Sequence, residues 1–94
     1  APANSNATIL LATTLMNGNH PAELRESFTL LDDAARARPP VAVMARLYQG
    51  EIRLRLGDAA GARKIWSDQL VKMPADDPRR TMYESKLAGV KSPP

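Results

Sequence analysis

Apolar residues recur every three or four positions along most of the chain, which is the spacing that places side chains on one face of an α-helix. Glycines, prolines and short polar runs interrupt this pattern four times. The pattern predicts five helices, over residues 7–16, 22–38, 41–56, 59–73 and 79–90. No run alternates apolar and polar residues among β-branched or aromatic types, so we expect no strands. The predicted fold class is all-α.

The residues between these segments predict how each helix begins or ends. Gly18 is expected to end the first helix in the left-handed conformation. The prolines at 39 and 40 are expected to end the second, because a residue before proline avoids the helical region. Gly57 predicts a turn, and Asp58 a cap for the fourth helix. Asp77 is expected to cap the fifth helix, with Pro78 as its first residue.

The third helix differs from the others because it carries two apolar strips. One strip has the spacing of a core-facing stripe and includes Val41, Ala45, Tyr48, Ile52 and Leu56. The other includes Met44, Leu47 and Leu54. A helix that is apolar on two sides either packs on both sides or faces a partner.

A period of 35 residues relates the second and fourth helices. It superimposes four pairs without a gap: Leu24 and Ala59, Ser27 and Ala62, Leu31 and Trp66, Pro39 and Pro74. Small residues at Ser27 and Ala62 indicate close approach of two helices. We therefore predict one domain, residues 1–94, built of a first hairpin over 7–40, a second over 41–74 and a closing helix over 77–91.

The second hairpin resembles a tetratricopeptide repeat, a helix pair of about 34 residues. Gly50, Gly57, Ala62, Trp66 and Pro74 stand at the spacing of that family. The resemblance implies an antiparallel helical hairpin and a function in protein–protein interaction. The first hairpin departs from the pattern, because Leu15 stands where a small residue is expected and residues 17–21 replace the Gly-Asp turn.

The resemblance further implies that the first helix of each pair lines a concave groove for a partner. Carried onto this chain, the partner-binding residues are Ile9, Met16, Met44, Leu47, Glu51, Leu54 and Arg55, with Ala12 and Asn19 beside them. Most are apolar, and methionine adapts to irregular apolar ligands. The expected partner is an apolar or amphipathic helical segment of a protein, with Arg55 pairing with its acidic end. The alternative is that Met44, Leu47 and Leu54 pack only against the first and closing helices.

Two subgroups of the family bear on the partner's identity. One subgroup binds the C-terminal carboxylate of chaperones through Lys and Asn side chains. In this chain Leu47 and Tyr48 stand at the position of that Asn, and residues 1–63 contain no Lys. We therefore do not expect this chain to bind chaperone C-termini. The other comprises bacterial cytochrome c maturation chaperones, which hold apocytochrome segments in the periplasm. Residues 62–84 are similar to these, which gives a less favoured alternative. The bacterial periplasm and the cytoplasm both stay open as compartments.

Composition narrows the function classes further. The net charge of +3 comes from bases interspersed with acids, so nucleic-acid binding through Arg36, Arg38, Arg63, Lys64, Arg79 and Arg80 is the least favoured hypothesis. The chain has no cysteine and one histidine, His20, which excludes a disulfide scaffold and the usual zinc site. We expect no enzyme activity, cofactor or metal. No apolar run approaches the length that is needed to span a membrane.

The main alternative to partner binding is a structural role, through self-association as a homo-oligomer or docking within a larger protein.

Overall fold

The computed structural model describes residues 5–38 and 40–90, and within them it contains five α-helices and no strand. The helices are α1 (Ser5–Met16), α2 (Pro21–Ala34), α3 (Val41–Arg55), α4 (Ala59–Lys72) and α5 (Arg80–Gly89). The predicted all-α class and the number of helices are confirmed for this part of the chain. None of these helices is long and apolar enough to cross a membrane.

Consecutive helices pack against each other: α1 on α2, α2 on α3, α3 on α4, and α4 on α5. In addition, α1 contacts α3. The chain measures 40 × 33 × 16 Å along its principal axes. Because packed helix axes lie about 8–10 Å apart, the shortest dimension corresponds to two layers of helices. The arrangement is two helical hairpins, α1–α2 and α3–α4, followed by α5.

The second helix ends earlier than predicted, at Ala34 instead of Arg38. The backbone N–H groups of Arg36 and Ala37 donate to the carbonyls of Asp33 and Ala34, three residues back. This tighter pattern ends the regular helix before the chain reaches Pro40. Pro40 has no N–H group to donate to a helical carbonyl, so the regular hydrogen-bond pattern could not continue through this position. The predicted role of Pro39 lies outside the described residues.

The prediction that Gly18 adopts the left-handed conformation was wrong. Asn19 adopts it instead, with φ 54°, and its N–H donates to the carbonyl of Met16 at 3.1 Å. Asparagine tolerates this region because its short polar side chain bonds locally. The Gly57 turn is confirmed, with φ 86°.

The two predicted aspartate caps have different outcomes. The Asp58 carboxylate accepts a hydrogen bond from the Gly61 N–H at 2.8 Å, as expected for the cap of α4. Asp77 accepts from the Arg79 N–H at 2.9 Å, so it does bond at the start of the segment. However, α5 begins only at Arg80, and Pro78 lies in the preceding turn rather than at the first helical position.

Two buried clusters form the core, and α3 contributes to both. The first cluster joins α1, α2 and α3 through Ala12, Met16, Leu24, Leu31, Ala34, Ala45 and Ile52. The second joins α3 to the segments that follow it through Val43, Leu47, Ala62, Trp66, Met73, Tyr83 and Val90. The first predicted strip of the third helix packs in the first cluster, and Met44 and Leu47 of the second strip pack in the second cluster, whereas Leu54 is in neither cluster.

Each hairpin has a side chain of its second helix bonded to a carbonyl of its first. Ser27 Oγ donates to the Ala12 carbonyl at 2.8 Å, and Trp66 Nε1 donates to the Leu47 carbonyl at 3.1 Å. The acceptors Ala12 and Leu47 are 35 residues apart but the donors Ser27 and Trp66 are 39 apart, so the two bonds are similar in kind without being equivalent under the period. A Cβ atom at Gly50 would overlap the Trp66 indole, so α3 and α4 approach each other closely at Gly50.

A buried polar side chain joins the two hairpins. Gln49 of α3 is fully buried, and its Nε2 donates to the Phe28 carbonyl at 3.1 Å and to the Asp32 carboxylate at 2.8 Å. Its Oε1 accepts from Arg46 at 2.6 Å. Because both ends of the amide are bonded, Gln49 fixes the register of α3 against α2 at little cost in desolvation.

Candidate functional site

Three open depressions lie side by side on the face formed by α1, α3 and α5. The first is lined by Asn6, Ile9, Pro40, Val41, Met44 and Tyr48. The second is lined by Met16, Leu47, Tyr48, Glu51, Arg55 and Lys86. The third is lined by Thr13, Met16, Asn17, Tyr48 and Arg55. Tyr48 lines all three, so they form one surface, which we call the α1–α3–α5 groove.

The helical period of α3 explains why one side of it forms the floor of the groove. Val41, Met44, Tyr48, Glu51 and Arg55 follow one another at three, four, three and four residues, the spacing of one helix face. On α1, the groove residues Ile9, Thr13 and Met16 have the same kind of spacing. The contact between α1 and α3 brings the two faces together.

One end of the groove is apolar. This depression has a volume of ≈ 180 Å³, and none of the residues that line it is charged. Ile9, Val41 and Met44 are each half-buried there. Half-buried aliphatic side chains that meet in a depression offer a surface on which a ligand can bury apolar groups.

The other end is charged and larger, with a volume of ≈ 300 Å³. Glu51 lies between two cations, with Lys86 Nζ at 2.8 Å and Arg55 Nε at 3.6 Å. Arg55 also donates to the carbonyl of Met16, at the end of α1, at 3.1 Å. The hydrogen bond from Lys86 lowers the pKa of Glu51, so this carboxylate is ionised at neutral pH. Two cations around one anion leave a net positive charge.

Six of the seven predicted partner-binding residues line the groove: Ile9, Met16, Met44, Leu47, Glu51 and Arg55. Leu54, 36% exposed, lines none of the three depressions. Met16 and Leu47 are only 5% and 8% exposed, because most of each side chain packs in a core cluster. Only a small part of each of these two side chains is accessible, at the floor of the groove. Whether these residues bind a partner stays a prediction.

Ala12 and Asn19, which the family resemblance placed beside these residues, do not line the groove. Ala12 is fully buried in the first core cluster, and Asn19 is exposed in the turn after α1.

Sequence reasoning missed seven residues that line the groove: Asn6, Thr13, Asn17, Pro40, Val41, Tyr48 and Lys86. Tyr48 fits the core stripe by spacing, and its ring does pack against the first core cluster. It also lies four residues after Met44 and three before Glu51, which is the signal that could have placed it on the groove face. Lys86 lies 35 residues after Glu51, so the sequence period relates the two members of this ion pair.

The groove offers a phenol, aliphatic side chains and a small charged cluster, which together can hold a ligand. Among the described residues, no group of three or more His, Cys, Asp or Glu side chains could hold a metal ion. His20 is exposed in its turn and lines none of the three depressions.

No family model matches this chain, and no curated protein or solved structure matches it either. The resemblance to tetratricopeptide repeats therefore stays a prediction.

Proposed function

We propose that this chain is a protein–protein interaction module of the tetratricopeptide-repeat type, which binds an apolar or amphipathic helical segment of a partner in the α1–α3–α5 groove. The observation that carries the proposal is the position of Tyr48. Its side chain lines all three depressions and so joins the apolar end of the groove to the charged end.

The shape and polarity of the groove suit an amphipathic helix. Such a ligand presents apolar side chains at every third or fourth position and inserts them between the helices of its receptor. Its apolar residues would lie against Ile9, Met44 and the Tyr48 ring. An acidic residue at one end would lie beside Arg55 and Lys86, where the charge is net positive.

Features of the second hairpin support the repeat type. Trp66 packs on Gly50, Gly57 forms the turn, and Ala62 is fully buried between the helices. These residues determine the shape of the hairpin and do not line the groove. The proposal therefore assigns ligand contacts to other side chains of the second hairpin.

A binding assay with a designed peptide tests the proposal. The probe is a fluorescein-labelled amphipathic helix of about four turns, with Leu at every third or fourth position and Glu at one end. Saturable binding is expected, and Met44→Asp should weaken it by at least about tenfold because it places a charge in the apolar end. Val71→Asp is the matched control, because Val71 is 86% exposed on α4 and lines none of the groove. No saturable binding, or equal binding by the Met44→Asp protein, would overturn the proposal.

A further inference from the structure

The turn between α1 and α2 contains an asparagine that is followed directly by a glycine. Asn17 and Gly18 form the one Asn-Gly pair in the sequence. Both residues are exposed, and both lie beyond Met16, the last residue of α1. Because glycine has no Cβ atom, the preceding side chain can approach its backbone nitrogen without a steric clash. This is the arrangement in which an asparagine side chain reacts most readily with the backbone that follows it.

The hydrogen bonds of this turn leave the Gly18 nitrogen available. The Asn17 N–H donates to the Thr14 carbonyl at 3.2 Å. The Asn19 N–H donates to the Met16 carbonyl at 3.1 Å. The Gly18 N–H, which lies between them, donates to no acceptor in the described part of the chain. Within a helix this N–H would bond to the carbonyl four residues back and the backbone would be held in the helical conformation. Beyond the end of α1 neither restraint applies.

We propose that Asn17 is a site of spontaneous deamidation, and that the carboxylate formed there neutralises the charged end of the groove. In this reaction the Gly18 nitrogen loses its proton to hydroxide from the solvent and attacks Cγ of Asn17. A C–N bond forms, the bond from Cγ to the side-chain nitrogen breaks, and that nitrogen takes a proton from water and leaves as ammonia. Water then adds to either carbonyl of the cyclic imide and opens it, which gives aspartate or isoaspartate. Overall, one water is consumed, one ammonia is released, and nothing is oxidised or reduced.

The product places a negative charge at the charged end of the groove. Asn17 and Arg55 line the same depression, and Arg55 also lines the depression that contains Glu51 and Lys86. The two cations and the one carboxylate there leave a net positive charge, which a second carboxylate at position 17 balances. The modified chain should therefore bind the acidic end of a ligand less well. This consequence rests on the function proposed above, whereas the chemical step does not.

The isoaspartate product also alters the turn itself. Its main chain runs through the former side chain, which adds one carbon atom to the backbone between Met16 and Gly18. The hydrogen bond from the Asn19 N–H to the Met16 carbonyl spans this point. Faster hydrogen exchange of the Asn19 amide is therefore expected in the isoaspartate form.

Incubation of the full chain in mildly alkaline buffer, made with water enriched in the heavy oxygen isotope, tests the chemical step. Mass spectrometry with backbone fragmentation should find one heavy oxygen atom at position 17, in a mixture of aspartate and isoaspartate. Asn6, which precedes Ala7 in α1, and Asn19, which precedes His20, are internal controls and should keep their amides.

Gly18→Ala is the matched variant. It should slow the reaction at least about tenfold, because the added Cβ atom hinders approach to the nitrogen. The nearest atom that this Cβ would meet belongs to the exposed His20 side chain, which can move aside, so the fold is expected to be kept.

The effect on the groove is measured with the fluorescein-labelled peptide. Asn17→Asp represents the product, and Asn17→Gln, which keeps the amide, is its control. Asn17→Asp should weaken binding about twofold to fivefold at low salt, as expected for one partly exposed charge. A peptide with Lys in place of the terminal Glu should show the opposite change.

Two sets of results would overturn the two parts of the proposal separately. An amide that survives at position 17 as long as at positions 6 and 19, or a Gly18→Ala protein that reacts as fast as wild type, would overturn the deamidation. Equal peptide binding by the Asn17→Asp and Asn17→Gln proteins would overturn its effect on the groove. The Met44→Asp assay tests the groove itself, so a failure of the proposed function is distinguishable from both.

Discussion

Trp66 lies across Gly50 so closely that a methyl group at position 50 would overlap the indole ring, and Trp66 Nε1 donates to the Leu47 carbonyl at 3.1 Å. This contact sets the distance between α3 and α4. It also sets the position of α3, whose opposite side carries Tyr48 and the floor of the groove. The geometry of the groove therefore depends on a contact that lies outside it.

The first prediction concerns this contact. Gly50→Ala should lower the free energy of unfolding by about 1–3 kcal/mol, because the added methyl group forces the buried indole or the helix to move. Urea unfolding followed by far-UV circular dichroism measures this difference. Gly89→Ala is the matched control, because a Cβ atom there meets no neighbouring atom within 4 Å. If Gly50→Ala is as stable as wild type, α3 and α4 are not in contact at this point.

The second prediction concerns the turn between α3 and α4. Gly57 has φ 86°, and a Cβ atom at this position would meet nothing within 4 Å. Gly57→Ala should therefore cost about 1–2 kcal/mol of unfolding free energy through backbone strain alone. Gly57→Asn should cost less, because asparagine tolerates this conformation as Asn19 does here. Equal stability of the alanine and asparagine variants would contradict the assigned conformation.

The third prediction concerns pH. The Lys86 hydrogen bond lowers the pKa of Glu51 below its ordinary value of 4.5, so the ionised form stabilises the fold. This stabilisation is complete above the ordinary value and is lost as the pH falls through the lowered pKa. The difference in unfolding free energy between wild type and Glu51→Gln should therefore be largest at about pH 6 and shrink towards about pH 3. Asp77, whose pKa Arg79 also lowers, titrates in both proteins and cancels in the difference. A difference that stays constant with pH would show that Glu51 is not paired with Lys86.

The fourth prediction concerns the attachment of α5. The Tyr83 hydroxyl donates to the Val43 carbonyl in the buried contact between α5 and α3, and burial raises the pKa of this phenol. Tyr83→Phe should cost about 1 kcal/mol and speed hydrogen exchange of the α5 amides more than those of α1 and α2. Tyr48→Phe serves as the control, since Tyr48 is only half-buried. Uniform acceleration across all helices would contradict a local role for the Tyr83 bond.

The sequence predicted the number and order of the helices because apolar residues recur at three and four positions along most of the chain, and glycines, prolines and short polar runs separate the segments. The resemblance to the repeat family placed Gly50 where a small residue is expected, and the structure shows that Trp66 packs against it. The end of α2 and the conformation of Asn19 were missed. Both depend on local backbone hydrogen bonds, for which several neighbouring residues compete.

The groove was predicted less completely because side chains on one face of a helix can contact both the buried core and a surface groove. Tyr48 packs one side of its ring on the first core cluster and presents the other to the groove, and residue spacing does not separate these two roles. Leu54 was placed in the groove by the family resemblance, but its side chain lies in a direction from the α3 axis that lines none of the three depressions. Such directions follow from tertiary contacts, which one sequence does not contain.

The most direct measurement of the central claim is a map of amide chemical shifts on isotopically labelled protein during titration with the amphipathic peptide described above. Binding in the α1–α3–α5 groove predicts shifts concentrated at Ile9, Thr13, Met44, Tyr48 and Lys86, with the amides on the outer surfaces of α2 and α4 unchanged. Shifts confined to α2 and α4, or to Leu10 and Leu11, would contradict the assignment of the groove as the partner-binding surface.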